Sequence, residues 1–264
     1  MNNRINSIFH KKKKKLITFV TGGDPDFKSS LKIIKQLPTF GVDIVEICMP
    51  FSDPMADGPT IQLSSLRAIK KGSNLKIIYE ICKQFIKKND KTPLILMGYY
   101  NPIHFFGDKD FIEECHKSGV DGLIIVDLQP ENDIKLFKLA KEKGIEFIRL
   151  ITPTTDTDRL KEILQNASGF LYYVSITGVT GATISNFQNL ETSINKIRRL
   201  TKLPIVVGFG IKTNHQVKKL LTFADGVVVG SSIVNIIEKY SVKSTNINNI
   251  LNNINKYIKE LLRK

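Results

Sequence analysis

The sequence contains few of the residues that build metal sites, disulfide frameworks or thiol nucleophiles. Its 264 residues include only three cysteines and four histidines, and both kinds are scattered along the chain. Cys48, Cys82 and Cys115 are odd in number and show no metal-ligand spacing. We therefore expect neither a metal site nor a Cys/His nucleophile. Scattered free thiols are typical of a reducing compartment, so we expect a soluble cytoplasmic protein.

Long hydrophobic runs are also lacking. The apolar stretch over residues 16–20 is followed at once by Thr21 and two glycines, whereas a membrane-spanning helix needs roughly 18 or more apolar residues. The N-terminal segment is basic, with no acidic residue before Asp24, but it has no apolar region like that of a signal peptide. We expect no membrane association, and we interpret the N-terminus as mature sequence.

Acidic residues are outnumbered, with 25 Asp and Glu against 39 Lys and Arg, which gives a net charge of +14. Such a charge is compatible with a nucleic-acid partner. The lysines, however, are spread over many helical faces, and the only dense run covers residues 11–15. Aromatic residues do not interleave with basic ones as they do in RNA-binding modules. We interpret the charge as solvated helix surface and expect no nucleic-acid partner.

Apolar runs of strand length alternate with amphipathic helical stretches from end to end. The helical stretch over residues 75–88 has a single apolar stripe, and the last one, over residues 246–262, repeats apolar residues at the same spacing. The predicted strands cover residues 16–21, 43–48, 94–98, 122–126, 147–151, 170–174, 205–207 and 226–229.

These strands are short, continuous and rich in β-branched residues, as parallel strands buried on both faces are. An open doubly wound sheet would have polar edge strands, and none is visible, so eight such units favour a closed (β/α)8 TIM barrel. A barrel typically needs about 250 residues, so residues 1–264 are expected to form one domain. The first helix, over residues 4–14, is extra and is expected to plug the barrel floor.

Function in such a barrel lies at the carboxyl ends of the strands. The seventh strand is followed by Gly208 and Gly210, and the eighth by Gly230, Ser231 and Ser232 ahead of a short apolar helix over residues 233–237. Glycines let backbone amides approach an anion, and a helix N-terminus favours negative charge. We expect a phosphate site here, with Gly181 as a third contributor; the alternative is that these glycines only form tight turns.

Two carboxylates stand at the same rim. Glu46 lies inside the apolar second strand, where burial would raise its pKa and suit it to giving and taking a proton; the alternative is a glutamate that turns outward to cap a helix. Asp53 and Asp57 lie in the long loop that follows, which has the composition of an ordinary turn but the position of a functional loop. The loop over residues 175–183 is small and glycine-rich, which indicates either a mobile lid or a flexible connection.

The stretch over residues 46–62, EICMPFSDPMADGPTIQ, closely resembles the signature of the tryptophan synthase alpha chain. Further matches occur in order along nearly the whole chain: FVT at the end of the first strand and GDP after it, residues 97–101 at the end of the third, GVTG at 178–181, GFG at 208–210 and GS at 230–231. The resemblance implies a lyase of L-tryptophan biosynthesis that cleaves indole-3-glycerol phosphate by a retro-aldol step into indole and glyceraldehyde 3-phosphate.

The resemblance also implies residue roles. Glu46 matches the family's proton-shuttling glutamate, and Tyr172 matches the tyrosine near that glutamate. Asp57 matches the aspartate that accepts the indole N–H and stabilises the indolenine. Thr180 matches the lid threonine that meets Asp57. The remaining substrate-binding positions are Phe19, Met97, Ile124 and Leu150 around the indole, and Gly181, Phe209, Gly210, Gly230 and Ser231 around the phosphate.

In the family, the alpha chain docks on a beta chain that holds pyridoxal phosphate, and an α2β2 heterotetramer is implied. The implied contact surface covers residues 50–58 and 101–106, and this chain itself would need no cofactor. Two positions depart from the family pattern: Ile176 precedes the lid motif, where a polar or basic residue is usual, and Gln129 displaces Pro130 by one place.

Two other interpretations stay open at this point. One is another phosphate-binding barrel, such as a sugar-phosphate isomerase or epimerase. The other is a barrel without catalytic activity that only activates a beta chain, although the presence of both Glu46 and Asp57 argues against it.

Overall fold

The computed structural model of the protein describes residues 4–11, 13–175, 187–208, 210–243 and 246–263. Within these residues, nine strands and twelve α-helices alternate along the chain. The strands are β1 Lys15–Thr21, β2 Ile44–Cys48, β3 Leu94–Gly98, β4 Gly122–Ile125, β5 Glu146–Phe147, β6 Arg149–Ile151, β7 Leu171–Val174, β8 Ile205–Gly208 and β9 Gly226–Val229.

The helices after the first form the outer layer, and a 3-10 turn at Leu37–Phe40 follows the second helix. Their apolar stripes face the sheet; in the helix that begins at Leu75, for example, Ile78, Ile81, Cys82 and Phe85 are buried. The helices are α1 Arg4–Phe9, α2 Phe27–Gln36, α3 Pro59–Lys70, α4 Leu75–Ile86, α5 Tyr100–Phe106, α6 Asp108–Lys117, α7 Ile134–Glu142, α8 Thr157–Gln165, α9 Phe187–Arg198, α10 Asn214–Leu220, α11 Ser231–Lys243 and α12 Ile247–Leu262.

The sheet closes on itself. Its order is β5-β4-β3-β2-β1-β9-β8-β7-β6, and every adjacent pair is parallel. The two outermost strands, β5 and β6, are separated only by Ile148 and together occupy the place of the predicted fifth strand. One interrupted strand therefore joins both sides of the sheet, and the predicted (β/α)8 TIM barrel is confirmed.

Side chains alternate between the barrel interior and the helices along each strand. Ile17 and Phe19 of β1, Ile95 and Met97 of β3 and Tyr172 of β7 belong to one buried cluster inside the barrel. Ile44 and Cys48 of β2 belong to the same cluster, so Glu46, which lies midway between them, is on the inner face as well.

The floor of the barrel is filled by α1. Ile5 is fully buried in the interior cluster, and a side chain added at Gly122 would lie 2.8 Å from Ile5 Cδ1. Arg4 donates hydrogen bonds of 2.8 and 2.7 Å to the two carboxylate oxygens of Asp121, just ahead of β4. The extra helix thus lies where it was predicted, but it ends at Phe9 and is shorter than the predicted residues 4–14.

Arg67 of α3 connects two distant parts of the barrel. It donates two hydrogen bonds of 2.9 Å to the buried carboxylate of Asp24 and one of 2.9 Å to Glu238 of α11. A bidentate arginine–carboxylate pair fixes both distance and orientation. The helix that follows the Asp57 loop is therefore braced against the helix that begins at Ser231.

No helix among the described residues combines the length and the apolar character needed to cross a bilayer. The three cysteines are buried and unpaired with one another.

We predict that Ile5→Ala destabilises the barrel, because it removes a fully buried side chain from a packed floor. The expected loss in the free energy of unfolding is about 2–4 kcal/mol, measured by urea denaturation. Ile8→Ala, which truncates a half-buried neighbour on the same helix, is the control and should cost clearly less. Equal losses for the two variants would show that α1 does not plug the floor through Ile5.

Candidate active site

A cleft opens at the carboxyl ends of the strands and contains about 510 Å³ of space, including its open mouth. Apolar side chains form most of its walls, and the two charged residues in its lining are Asp57 and Lys212. The cleft is lined by Phe19, Asp57, Ile61, Met97, Tyr172, Gly210, Ile211, Lys212, Val228, Gly230, Ser231 and Ser232.

Glu46 lies inside the barrel behind this lining and is 0% exposed. Among the described residues, neither of its carboxyl oxygens has a hydrogen-bond partner. Burial raises the pKa of this carboxyl group to about 8, and the nearby negative charge of Asp57 adds to the rise. The predicted rise in pKa is confirmed, and the alternative of a glutamate that turns outward to cap a helix is wrong.

Asp57 is held at the rim by the loop between β2 and α3. Tyr99 Oη donates a 3.0 Å hydrogen bond to Asp57 Oδ2 and accepts one of 3.1 Å from the amide of Ala56. The side-chain amide of Gln62 donates a 2.8 Å hydrogen bond to the Asp57 carbonyl. Pro59 begins α3 directly after Gly58, a favourable first helical residue because its missing N–H needs no acceptor there.

Burial raises the pKa of Asp57 to about 6, and the hydrogen bond from Tyr99 opposes part of that rise. Two carboxyl groups with different pKa values therefore stand in one apolar site. Near neutral pH, Glu46 is mostly protonated and Asp57 mostly ionised. Environments that push the pKa values of two acids apart are typical of acid–base catalysis.

Tyr172 reaches the cleft because Gly208 leaves room for its ring. A side-chain carbon at Gly208 would lie 2.3 Å from both Cε1 and Oη of Tyr172. Gly208 is the last residue of β8, so its role here is to make space for the neighbouring strand's side chain rather than to form a turn. Burial, with the negative charges of Glu46 and Asp57, raises the pKa of the Tyr172 hydroxyl, which therefore stays protonated.

Gly230, Ser231 and Ser232 line the part of the cleft beside β9. The short helix predicted over residues 233–237 is wrong in its bounds: α11 begins at Ser231 and has 13 residues. The first amides of a helix lack acceptors within the helix, and its N-terminus favours anions. Gly210 follows the adjacent strand β8, lines the same part of the cleft and has a positive φ of 74°, which suits glycine. The arrangement can bind a phosphate group.

The cleft brings seven of the predicted site residues together: Phe19, Asp57, Met97, Tyr172, Gly210, Gly230 and Ser231. Ile124 and Leu150 are on the inner face of the barrel but outside the lining of this cleft. Thr180, Gly181 and Phe209 fall outside the described residues, as does Ile176. The roles of all these residues stay predictions.

Four lining residues were not predicted: Ile61, Ile211, Lys212 and Val228. Ser232 belongs to the predicted phosphate turn, where no separate role was expected for it. Val228 could have been found by counting alternate residues of the last strand. Lys212 could have been found as well, because it is a basic residue only two places after Gly210 of the predicted phosphate turn. No group of three or more potential metal ligands occurs in the described part of the chain.

A model of the family described as "tryptophan synthase alpha chain" matches residues 5–262. The chain belongs to the tryptophan synthase alpha chain family. A crystal structure of tryptophan synthase subunit alpha from Legionella pneumophila is 35% identical, with a TM-score of 0.90 over 99% of this chain and 97% of that one. A chain from a structure of the tryptophan synthase α2β2 complex of Pyrococcus furiosus is 37% identical, with a TM-score of 0.86 over 95% and 98% of the two chains.

Members of this family cleave indole-3-glycerol phosphate, so the chain is a lyase that carries out the alpha reaction of tryptophan biosynthesis. The match favours this activity over that of a sugar-phosphate isomerase or epimerase. It also fits the shape of the cleft, in which apolar walls suit an aromatic ring and the start of α11 suits a phosphate.

We predict that Glu46→Gln stabilises the folded protein increasingly as pH rises. The unfolded chain releases this proton near the ordinary glutamate pKa of 4.5, whereas the folded chain keeps it until about pH 8. Between these values the unfolded state binds fewer protons, so the stability of the unchanged protein falls with rising pH. The variant does not pay this cost, and its advantage should level off above about pH 8 at no more than about 5 kcal/mol.

Urea unfolding at about pH 5, 7 and 9 measures the effect. Glu142→Gln removes a carboxylate from an exposed position and is the control. A gain that does not depend on pH, or one that Glu142→Gln reproduces, would contradict the buried, protonated state of Glu46.

Proposed function

We propose that Glu46 carries out both proton transfers in the cleavage of indole-3-glycerol phosphate. With a pKa of about 8 it holds a proton at neutral pH, which it can give to C3 of the indole ring. The resulting carboxylate then removes the proton of the hydroxyl on the carbon attached to C3. As this oxygen becomes the carbonyl of the aldehyde, the bond between that carbon and C3 breaks and its electrons return to the ring. Indole and glyceraldehyde 3-phosphate are then released.

Glu46 lies behind the lining of the cleft, so rotation of its side chain toward the bound ring is part of this proposal. Its place between Ile44 and Cys48 on the inner face supports the proposal, because a short movement within the barrel leads to the cleft. Catalytic contacts are often longer in a free enzyme than in its substrate complex.

Asp57 accepts the indole N–H and stabilises the positive charge that develops on the ring after protonation. The support is that Asp57 lines the cleft while the hydrogen bond from Tyr99 directs its carboxylate. A fixed negative charge next to a developing positive charge in an apolar site lowers the barrier strongly. Phe19 and Met97 hold the ring, Ile124 and Leu150 extend its pocket, and Tyr172 lies near Glu46.

Gly210, Gly230 and Ser231 bind the phosphate through backbone amides and the serine hydroxyl. The position of Ser231 as the first residue of α11 supports this role. We further propose that Gly181 and Phe209 contribute to the same subsite and that Thr180 contacts Asp57.

We predict that Glu46→Gln lowers the rate of indole formation by at least about 100-fold, because both proton transfers are lost. The measurement is indole release from indole-3-glycerol phosphate by the purified chain. Ser231→Asp is the matched comparison: it places a negative charge at the phosphate end and should raise KM far more than it lowers kcat.

Binding of glycerol 3-phosphate, followed by calorimetry, should survive in Glu46→Gln and weaken in Ser231→Asp. Turnover at the normal rate in Glu46→Gln would remove Glu46 from the mechanism. An unchanged KM in Ser231→Asp would move the phosphate to another place.

We propose a tryptophan synthase beta chain as the partner, in an α2β2 assembly like the one named for the Pyrococcus furiosus structure. The pyridoxal phosphate cofactor would belong to that partner. Two apolar side chains at the rim support a docking surface: Met55 of the loop after β2 is 77% exposed, and Phe105 of α5 is 95% exposed. Ile103 and Phe106 of the same helix do not belong to this surface: Ile103 is fully buried, and Phe106 packs on Tyr79 with 5.8 Å between ring centroids.

We predict that adding the beta chain raises the rate of indole formation several-fold and that Phe105→Asp weakens this activation. Leu200→Asp changes an exposed apolar residue after α9 and should leave activation unchanged. Titration of the alpha chain with the beta chain gives both results. Full activation of Phe105→Asp would contradict the proposed surface.

We also propose that residues 1–264 form one domain and that the protein works in the cytoplasm. The support is a single closed sheet to which strands from the whole length contribute, together with cysteines that remain unpaired.

A further inference from the structure

Lys212 is the one basic residue in the described lining of the cleft. It follows β8, whereas Asp57 follows β2, and the strand order β2-β1-β9-β8 separates the two positions around the barrel. The lining therefore has an acidic residue on one side and a basic residue on the other. The basic one shares its side with Gly210 and with Ser231 at the start of α11.

The backbone of Lys212 is fixed by a buried side chain. Gln216 Oε1 accepts hydrogen bonds of 2.8 and 3.0 Å from the amides of Lys212 and Thr213. Its Nε2 donates one of 3.3 Å to the carbonyl of Gly210. One glutamine thus holds the loop from Gly210 to Thr213, which places Lys212 at a set distance from the predicted phosphate turn.

The last helix fixes the same loop from the other side. Tyr257 of α12 donates a 3.1 Å hydrogen bond to the carbonyl of Lys212. Its hydroxyl also accepts a hydrogen bond from the side chain of Ser232, the second residue of α11. A single tyrosine hydroxyl therefore joins the loop after β8 to the start of the helix after β9.

We propose that the ammonium group of Lys212 binds the phosphate group of the substrate and that Tyr257 is a positioning residue for it. This inference rests on the proposed function, which places the phosphate between Gly210 and Ser231. Backbone amides and serine hydroxyls form a neutral cradle, whereas a phosphate monoester carries nearly two negative charges at neutral pH. Lysine supplies a compact positive charge whose attraction depends on its distance from the phosphate and not on a particular orientation.

The charge makes the subsite selective for phosphorylated molecules. Lys212 is exposed at the rim, so water and salt screen its attraction, and the expected contribution is moderate. Lys212→Gln should weaken the binding of glycerol 3-phosphate about five-fold at low salt, and less as salt rises. Lys212→Arg should restore most of the affinity because it restores the charge.

The experiment is calorimetric titration of the full chain with glycerol 3-phosphate, and with glycerol as the uncharged probe, at low and high salt. Lys218→Gln is the matched control: it removes the same charge from an exposed residue of the neighbouring helix that does not line the cleft. We expect Lys218→Gln to bind like the unchanged protein. Equal affinities for Lys212→Gln and Lys218→Gln would overturn the proposal.

Tyr257→Phe tests the positioning role without changing the charge. It should weaken glycerol 3-phosphate binding by a smaller factor than Lys212→Gln and keep the salt dependence of the unchanged protein. A purely structural role would instead lower the melting temperature and leave the affinity of the folded protein unchanged, which would overturn the role of Tyr257.

These outcomes separate the inference from the proposed function. Glycerol 3-phosphate binding without indole formation would reject the function and leave Lys212 to be judged by its own titration. Normal indole formation with unchanged phosphate affinity in Lys212→Gln would reject only the role of Lys212. If the unchanged chain does not bind glycerol 3-phosphate, both are rejected.

Discussion

Removal of the Glu46 carboxyl group from water is the constraint on which the chemistry of the cleft depends. Glu46 lies on the inner face of β2, among the apolar side chains of the barrel interior, and no described residue offers its carboxyl group a hydrogen bond. Its ionised form is therefore unfavourable, and its pKa rises to about 8. The barrel gives up folding stability at neutral pH to keep this proton, and a group that keeps a proton near neutrality can also give it away.

The charged and polar groups of the cleft lie at its two ends, with apolar side chains between them. Burial raises the pKa of Asp57 to about 6 and the hydrogen bond from Tyr99 offsets part of that rise, so Asp57 is mostly ionised at neutral pH. The start of α11 and Lys212 provide a positive environment on the other side, and apolar side chains lie between. A molecule with an aromatic ring that becomes cationic and a phosphate at its far end matches this order. The family assignment and the electrostatics of the cleft therefore point to the same substrate.

Local sequence patterns were sufficient for the barrel and for the two acids, but not for features that depend on distant contacts. β3 and β9 have the predicted bounds because their apolar runs end at clear turns. The break at Ile148 was not predictable, because β5 pairs with β4 and β6 with β7, and only barrel closure separates them. The bond between Tyr257 and Lys212 spans 45 residues, and no local pattern reports such a pair.

The brace formed by Asp24, Arg67 and Glu238 has a consequence for the shape of the cleft. It ties α3, which begins beside Asp57, to α11, which begins at Ser231. Moving the two helices apart would separate the Arg67 guanidinium from the buried carboxylate of Asp24 and from Glu238. The brace therefore opposes any change in the spacing between the Asp57 end and the Ser231 end of the cleft.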